Sequence, residues 1–261
     1  MERINSTDNT TLKLARKLLR SSRERAASGK ILLDGVHLVR SYEASFGLAS
    51  GIILVSEAAT ETQEIARLTQ AVPTGARVAV VESNLFARLS PVDTPSGIVA
   101  LCERPDVLVA KTASPFHLLL DGIQDPGNLG SILRTAAATG VNQVLLSKTC
   151  TDPWSPKSLR GGMGAQFVLP ITTNVDPHSA MSSFQGTTVA TSPHSERSLI
   201  GTDLSGPVLA IFGGEGAGLR RELTANASMA VKIPLKNDME SLNVGASVAM
   251  FCYERIRQTE S

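Results

Sequence analysis

Long apolar runs are missing from this chain. None approaches the ~18–20 residues that a helix needs to cross a bilayer, and the opening MERINSTDNT is polar where a secretory signal has its apolar core. Cysteine is scarce: Cys102, Cys150 and Cys252 stand far apart with no C-x-x-C pair. That pattern argues against a disulfide framework or a structural zinc site and fits a reducing compartment, so a cytoplasmic location is expected. The four histidines (His37, His117, His178, His194) show no metal-ligand spacing, and no metal is expected. His37 and His117 lie in or beside apolar segments, where a structural role is the plainer reading. An excess of one charge is lacking as well. The net charge of +1 announces no nucleic-acid partner through the field of the whole molecule. No internal repeat or low-complexity tract is visible.

What is present is the composition of a soluble globular protein, 42% hydrophobic and 19% charged. Charge is unevenly placed. From Lys13 to Arg40 stand Lys13, Arg16, Lys17, Arg20, Arg23, Arg25, Lys30 and Arg40 against only Glu24 and Asp34. Such a run is either a solvated helix face or an edge that contacts phosphates. Helical spacing of Leu12, Ala15, Leu18 and Leu19 predicts a helix over 11–28, stopped by Gly29. Strands are expected at 31–35, 51–56, 77–82 and 97–103, with helices over 36–46, 62–70 and 83–89 between them. Residues 104–115, RPDVLVAKTASP, read as a linker. A second series of strands is expected at 116–121, 143–147, 167–171, 187–191, 207–212 and 229–235, closed by a helix from about Asn243 to Gln258. Alternating strands and helices imply a mostly parallel sheet covered by helices. The chain therefore divides into 1–105, a linker at 106–115, and 116–261.

Three motifs in the second part carry chemistry. D-G-I-Q-D-P-G-N-L-G-S-I-L-R, residues 121–134, runs from a strand end through a Pro-Gly turn into a helix beginning near Asn128 or Leu129. Asn128 sits where an N-cap would. Arg134, among small and apolar neighbours, needs an anionic partner or must reach water. F-G-G-E-G-A-G-L-R, residues 212–220, follows a strand directly, and its glycines permit positive φ and close approach of a ligand. A dinucleotide would suit a Gly-rich turn after a strand, but too few residues follow to complete that fold, and Glu215 would repel a pyrophosphate. A cationic or zwitterionic ligand suits the loop better, and S-adenosylmethionine carries a sulfonium and no phosphate. In V-K-I-P-L-K-N-D-M-E-S-L-N-V-G-A-S-V-A-M, residues 231–250, Ser241 reads as the N-cap of the last helix and Asn243 as an early helical position.

Together, in this order and at these spacings, the motifs resemble the TrmH-like (SpoU) branch of the SPOUT RNA methyltransferases across 116–258. The carriers are Asn128 with Arg134 six residues on, the turn from Gly213 to Gly218, and Ile233-Pro234-Leu235 followed by Ser241-Leu242-Asn243-Val244. Arg160 to Pro170 is a fourth matching stretch. Leu32 to Arg40, L-L-D-G-V-H-L-V-R, is similar to the L30e-like substrate-binding domain that precedes many of these catalytic domains. Gly245 and Gly162 depart from the serines usual in the family.

The resemblance implies an α/β fold whose C-terminal domain is a trefoil-knotted methyltransferase with a mostly parallel sheet, preceded by a small L30e-like α/β domain. It implies transfer of a methyl group from S-adenosylmethionine to a ribose 2′-hydroxyl, in ribosomal RNA, by a homodimer. Asn128, Arg134, Glu215, Ser241 and Asn243 match the family's catalytic set. Thr191, Gly213, Glu215, Gly216, Ile233 and Leu242 match its cofactor pocket. A guanidinium resists deprotonation, so holding a phosphate and stabilising a developing alkoxide is a better role for Arg134 than general base, with Ser241 and Asn243 orienting it or the hydroxyl. Transfer RNA as the substrate, or an RNA-binding assembly module without catalysis, are the competing readings. Trp154 with Lys157 and Arg160 reads either as a nucleotide-stacking group or as a loop anchor.

Overall fold

The computed structural model describes residues 2–72, 75–90, 92, 94–216, 218–237 and 239–260. In chain order its elements begin with β1 (Glu2–Ile4), α1 (Thr10–Arg20), α2 (Ser22–Ser28), β2 (Lys30–Asp34), α3 (Val36–Phe46) and β3 (Ile52–Ser56). There follow α4 (Gln63–Ala71), β4 (Arg77–Val81), α5 (Ser83–Phe86), β5 (Ile98–Glu103), β6 (Phe116–Asp121), α6 (Pro126–Ala138) and β7 (Gln143–Ser147). The chain ends with α7 (Pro156–Gly162), β8 (Ile171–Val175), α8 (Pro177–Ser183), β9 (Thr187–Thr191), β10 (Val208–Gly213), α9 (Arg221–Asn226), β11 (Met229–Val231) and α10 (Val244–Thr259). Among the described residues no helix is long and apolar enough to cross a membrane.

Two compact units result. The first comprises Met1–Asp106 with Asp152–Phe167, the second Val107–Thr151 with Val168–Ser261. In the first, a five-stranded sheet has the order β1-β4-β3-β5-β2, with β1, β4 and β3 parallel and β5 antiparallel to both its neighbours. Strand side chains alternate between faces, so Ile31 and Leu33 enter one core with α3 and α4 while Leu32 enters another with α1 and α5. The helix expected over 11–28 is broken. Ser21 is extended, and its hydroxyl caps α2 by accepting from Glu24 N, so two short helices form where spacing alone suggested one. Gly29 ends α2 in the left-handed conformation.

Asp152–Phe167 lies in the C-terminal part of the sequence but packs into the first unit. Trp154, Leu159 and Phe167 are buried in its core, and Arg25, itself buried, donates Nε to Asp152 Oδ2 at 2.7 Å and also bonds Leu18 O. Phe167 closes a short 3-10 turn, and Val168 beside it is exposed. The apolar run 167–171 therefore marks burial rather than a strand, and β8 begins only after Pro170. Breaking a buried ion pair strands the remaining charge at a cost of about 3–5 kcal/mol. Asp152 retains some access to water, so Arg25→Met should cost about 3 kcal/mol, read by urea denaturation of the full chain. An unchanged midpoint would assign the anchoring to Trp154 and Phe167 alone.

The second unit holds a six-stranded sheet, β11-β9-β10-β6-β7-β8, in which every described pairing is parallel. Parallel strands covered on both faces read as continuous apolar runs, and β6 and β10 are buried almost throughout. α10 packs along α6. At the opposite end of α10 from its N-terminus, Arg255 is buried and donates to the carbonyls of Leu204, Gly206 and Ser114, with its guanidinium 4.8 Å from the Phe116 ring centroid. β11 is shorter than the run 229–235 suggests: pairing with β9 ends at Val231, and Lys232 turns to the 197–199 segment instead, its N–H donating to Arg197 O at 2.8 Å.

Candidate functional site

Ligands of open parallel sheets bind at the carboxyl ends of the strands, and the expected cofactor residues gather at that edge. Thr191 is the last residue of β9, and its Oγ1 donates to Ile211 O at 2.9 Å. Gly213 ends β10 in register with Asp121, the last residue of β6. Ile233 lies just past β11, whose Val231 is paired with Thr191. Leu242 immediately precedes the cap of α10 and is half-buried.

The glycine loop behaves differently from the reading that its glycines supply positive φ. Only Gly218 among its described glycines has one, at 65°. Gly213 and Gly214 serve self-packing instead. A Cβ on Gly213 would lie 2.1 Å from Gly218 C, and one on Gly214 would lie 2.2 Å from Gly122 O, all of it backbone. Gly216 is open, with no atom within 4 Å of where its Cβ would be. Both ends of the loop are tied to Asp121. Gly213 pairs with it in the sheet, and Arg220 donates Nε to its Oδ2 at 2.7 Å and a second nitrogen to Oδ1 at 3.3 Å. That carboxylate raises the pKa of Arg220.

The two helix starts differ from expectation in an informative way. α6 begins at Pro126 with Asp125 as its N-cap, whose Oδ1 accepts from Asn128 N at 2.8 Å. Asn128 is thus inside the helix and its side chain is released from capping. α10 is capped by Asn243, not Ser241: Asn243 Oδ1 accepts from Gly245 N at 2.9 Å and from Ala246 N at 3.4 Å. Its Nδ2 donates to Asn128 Oδ1 at 3.0 Å, and Asn128 Nδ2 donates to Glu215 Oε1 at 2.7 Å. Three residues far apart in sequence form one chain of hydrogen bonds, from the α10 N-terminus through α6 to the glycine loop. Each amide has one orientation that satisfies all its partners.

The other two expected catalytic residues stand apart from that chain. Arg134 is exposed on α6, and among the described residues its guanidinium has no hydrogen bond or ion pair within the molecule. It reaches water rather than an anionic partner. Ser241 is exposed two residues before the cap. Asn243 is committed to α10 and to Asn128, so it does not orient Arg134 in this arrangement. Gly245, where the family usually has serine, leaves room for the cap, since a Cβ there would come 3.1 Å from Asn243 Oδ1.

Several groups drop out of the site. Trp154 is buried in the first unit's core, which makes it an anchor, and Arg160 there pairs with Asp34 at 3.3 Å. Much of the basic run is internally compensated: Lys13 pairs with Asp8, Lys17 with Glu24 and Arg40 with Glu64, while Arg20 and Arg23 remain exposed. His117 packs against Phe184, and burial lowers its pKa. Burial raises the pKa of the Cys150 thiol, which donates to Leu120 O at 3.2 Å. Missing from the expected set were Asp125 and the Asp121–Arg220 pair. An acidic residue directly before Pro-Gly at a helix start is a readable capping signal; the pairing of residues 99 apart in sequence is not.

A family model described as the SpoU rRNA Methylase family matches residues 115–253, and one described as the MRM3-like substrate binding domain matches residues 9–100. The chain is 32% identical to an uncharacterized tRNA/rRNA methyltransferase of Synechocystis sp., covering 98% of this chain and 93% of the relative. It is 30% identical to the 23S rRNA (guanosine(2553)-2′-O)-methyltransferase RlmP of Bacillus subtilis, covering 97% and 98%. A solved RNA 2′-O ribose methyltransferase superposes with a TM-score of 0.82 at 28% identity, covering 98% of each chain. The SpoU methyltransferase AviRb from Streptomyces viridochromogenes, solved with the cofactor AdoMet, shares the fold with a TM-score of 0.85 at 23% identity, covering 96% of this chain and 98% of that one. A parallel sheet with its glycine loop and last helix converging at one edge, and family matches over both parts of the sequence, lead to one statement: the chain belongs to the SpoU rRNA methylase family and carries an MRM3-like substrate-binding domain ahead of the methylase domain.

Proposed function

We propose that this protein methylates a ribose 2′-hydroxyl of ribosomal RNA with S-adenosylmethionine as donor. The observation that carries the reading is Asn128 bridging Glu215 and Asn243, because it joins the three family motifs through side chains a merely structural turn would not need. The residues fit the donor. Gly216 leaves open backbone at the loop tip, Glu215 offers a carboxylate to a cationic or zwitterionic ligand, and Thr191, Gly213, Ile233 and Leu242 would wall the adenosyl group. S-adenosylmethionine, when bound, supplies an electrophilic methyl on sulfonium.

The protein's own work is positioning. The acceptor hydroxyl must lie in line with the methyl, and orientation alone can lower such a barrier substantially. Asn128, itself held by Asn243, fixes Glu215 in one place, while Asp121 ties both ends of the loop. Arg134 carries a planar guanidinium, so it holds the nucleotide phosphate and stabilises the alkoxide that develops as the hydroxyl proton passes to water. Ser241 stands near the start of α10 to bond the ribose. The knot belongs to this reading, as an exception to unthreaded connections, and is supported by α10 packing along α6 after the chain has left β11. So does a homodimer, supported by Met250 and Tyr253 exposed on α10. A cytoplasmic site of action is supported by three free cysteines. Ribosomal rather than transfer RNA is supported by a relative named for 23S ribosomal RNA that matches nearly the whole chain.

The test is to map ribose methylation in total RNA with and without this protein, then restore it in vitro with S-adenosylmethionine. A single restored ribosomal 2′-O-methyl is expected. Asn243→Asp should keep the helix cap, since both residues cap well, yet lose the donor to Asn128. Methyl transfer should fall about 10–100-fold, the range expected for a misplaced catalytic group. Wild-type activity in that variant would remove the hydrogen-bonded chain from the mechanism.

A further inference from the structure

The glycine loop divides the ligand edge of the sheet. On one side lie the ends of β11, β9 and β10, with Thr191, Gly213 and Ile233 of the residues assigned above to the donor. On the other, at the ends of β10, β6, β7 and β8, lies a cavity of about 610 Å³ that Thr191, Ile233 and Leu242 do not line. Glu215 and Gly216, which were also assigned to the donor, form part of its wall, so it adjoins both the donor side and the Asn128 chain across the glycine loop.

Its lining is polar and specific. Lys148 and Gln124 are exposed at its wall, and among the described residues neither has a side-chain partner within the molecule. Asp176 offers one carboxylate oxygen: Oδ2 accepts from Ser179 N at 2.9 Å and Ser179 Oγ at 2.7 Å, leaving Oδ1 toward other donors. The backbone is shaped to present it. Asn174 takes a left-handed φ of 59°, and the β7–β8 register shifts between Leu145 and Ser147, so a bulge turns the chain just before Asp176. Bulges of this kind re-aim side chains beside active sites. The carboxylates of Asp121, Asp176 and Glu215 outnumber the cations Lys148 and Arg220, so a phosphate is disfavoured. A neutral group with both donors and acceptors is favoured.

We propose that this cavity receives the base of the acceptor nucleotide, turned out of its RNA stack, and that it selects guanine: the remaining oxygen of Asp176, Oδ1, accepts from both N1–H and the 2-amino group while Lys148 donates to O6. Unstacked bases are read on their Watson–Crick edges by such groups. Guanine is the base that offers two adjacent donors to a carboxylate and an acceptor beside them; adenine and cytosine offer one donor on that edge, and uracil lacks the amino group. The inference rests on the proposed reaction and names its substrate base.

The experiment uses the full chain and a synthetic hairpin copied from the mapped ribosomal site, with guanosine or inosine at the target. Inosine lacks only the 2-amino group. The wild type should form 2′-O-methylguanosine and use the inosine hairpin about 10-fold less well, the effect of losing one hydrogen bond to a charged acceptor. Asp176→Asn keeps the cap of α8 and should treat both hairpins alike, with a kcat/KM about 10-fold below wild type on guanosine and unchanged affinity for S-adenosylmethionine. Lys148→Met should lower kcat/KM on both. No transfer by the wild type to any ribosomal RNA would overturn the proposed function itself. Transfer to another nucleoside, equal inosine discrimination in wild type and Asp176→Asn, or lost donor affinity in Asp176→Asn would overturn the pocket alone.

Discussion

Arg134→Ala should lose methyl transfer by about 10²–10³-fold, the effect of deleting one preorganised donor to a developing oxyanion, while its affinity for S-adenosylmethionine stays within about twofold. The separation follows from placement. Arg134 projects from α6 into solvent and, among the described residues, makes no bond to the glycine loop or to Asn243, so removing it leaves the donor side intact. Nor should the fold suffer, because an exposed helical position seldom matters to stability beyond about 0.5 kcal/mol. Arg134→Lys keeps the charge but not the planar fork that grips a phosphate through two N–H groups, and it should be impaired nearly as much. Isothermal titration with S-adenosylmethionine and single-turnover transfer to RNA separate binding from chemistry. Full turnover in Arg134→Ala would exclude this side chain from the reaction.

Gly213→Ala should have the opposite signature, with donor binding and stability lost together. The added methyl would sit about 2 Å from the backbone of Gly218 and Leu219, and no rotamer can relieve a clash between a Cβ and main chain. Overpacking costs about 1–3 kcal/mol where neighbours can move; here the neighbour is the loop itself, pinned at both ends to Asp121. The loop must then leave its place, taking Glu215 with it, and affinity for S-adenosylmethionine should fall at least about 100-fold, which corresponds to ~2.7 kcal/mol. Gly216→Ala is the control. Its Cβ meets open space, so stability should change by less than about 0.5 kcal/mol. Thermal unfolding and equilibrium binding on both variants check the contrast, and equal behaviour of the two would refute the packing argument.

Periodicity and turn chemistry made most of the fold legible. α3 and the strands β6, β7 and β9 fall where apolar runs and glycine punctuation put them. Failures share a cause, which is tertiary context. The run FVLPI is apolar because Phe167 is buried in the first unit's core, and nothing local in the sequence distinguishes that from a strand. Ser21 interrupts what spacing reads as one helix because its hydroxyl caps a second. At the site, the motifs identified the right neighbourhood, and Asn128, Glu215 and Asn243 do meet. Which residue caps which helix was misjudged by two or three positions. That shift decides the chemistry, since capping by Asp125 frees Asn128 to bridge Glu215 and Asn243. The Asp121–Arg220 tie is invisible to any local pattern.

The last helix is fastened at both extremities. Asn243 joins its start to α6, and near its finish Arg255 grips carbonyls of Leu204, Gly206 and Ser114. Sixteen residues of helix make a strut about 24 Å long, bolted to the floor of the sheet below and to the reacting edge above. Disturbance of the floor, however remote from RNA or donor, would therefore tilt the strut and be felt where Asn128 receives its hydrogen bond.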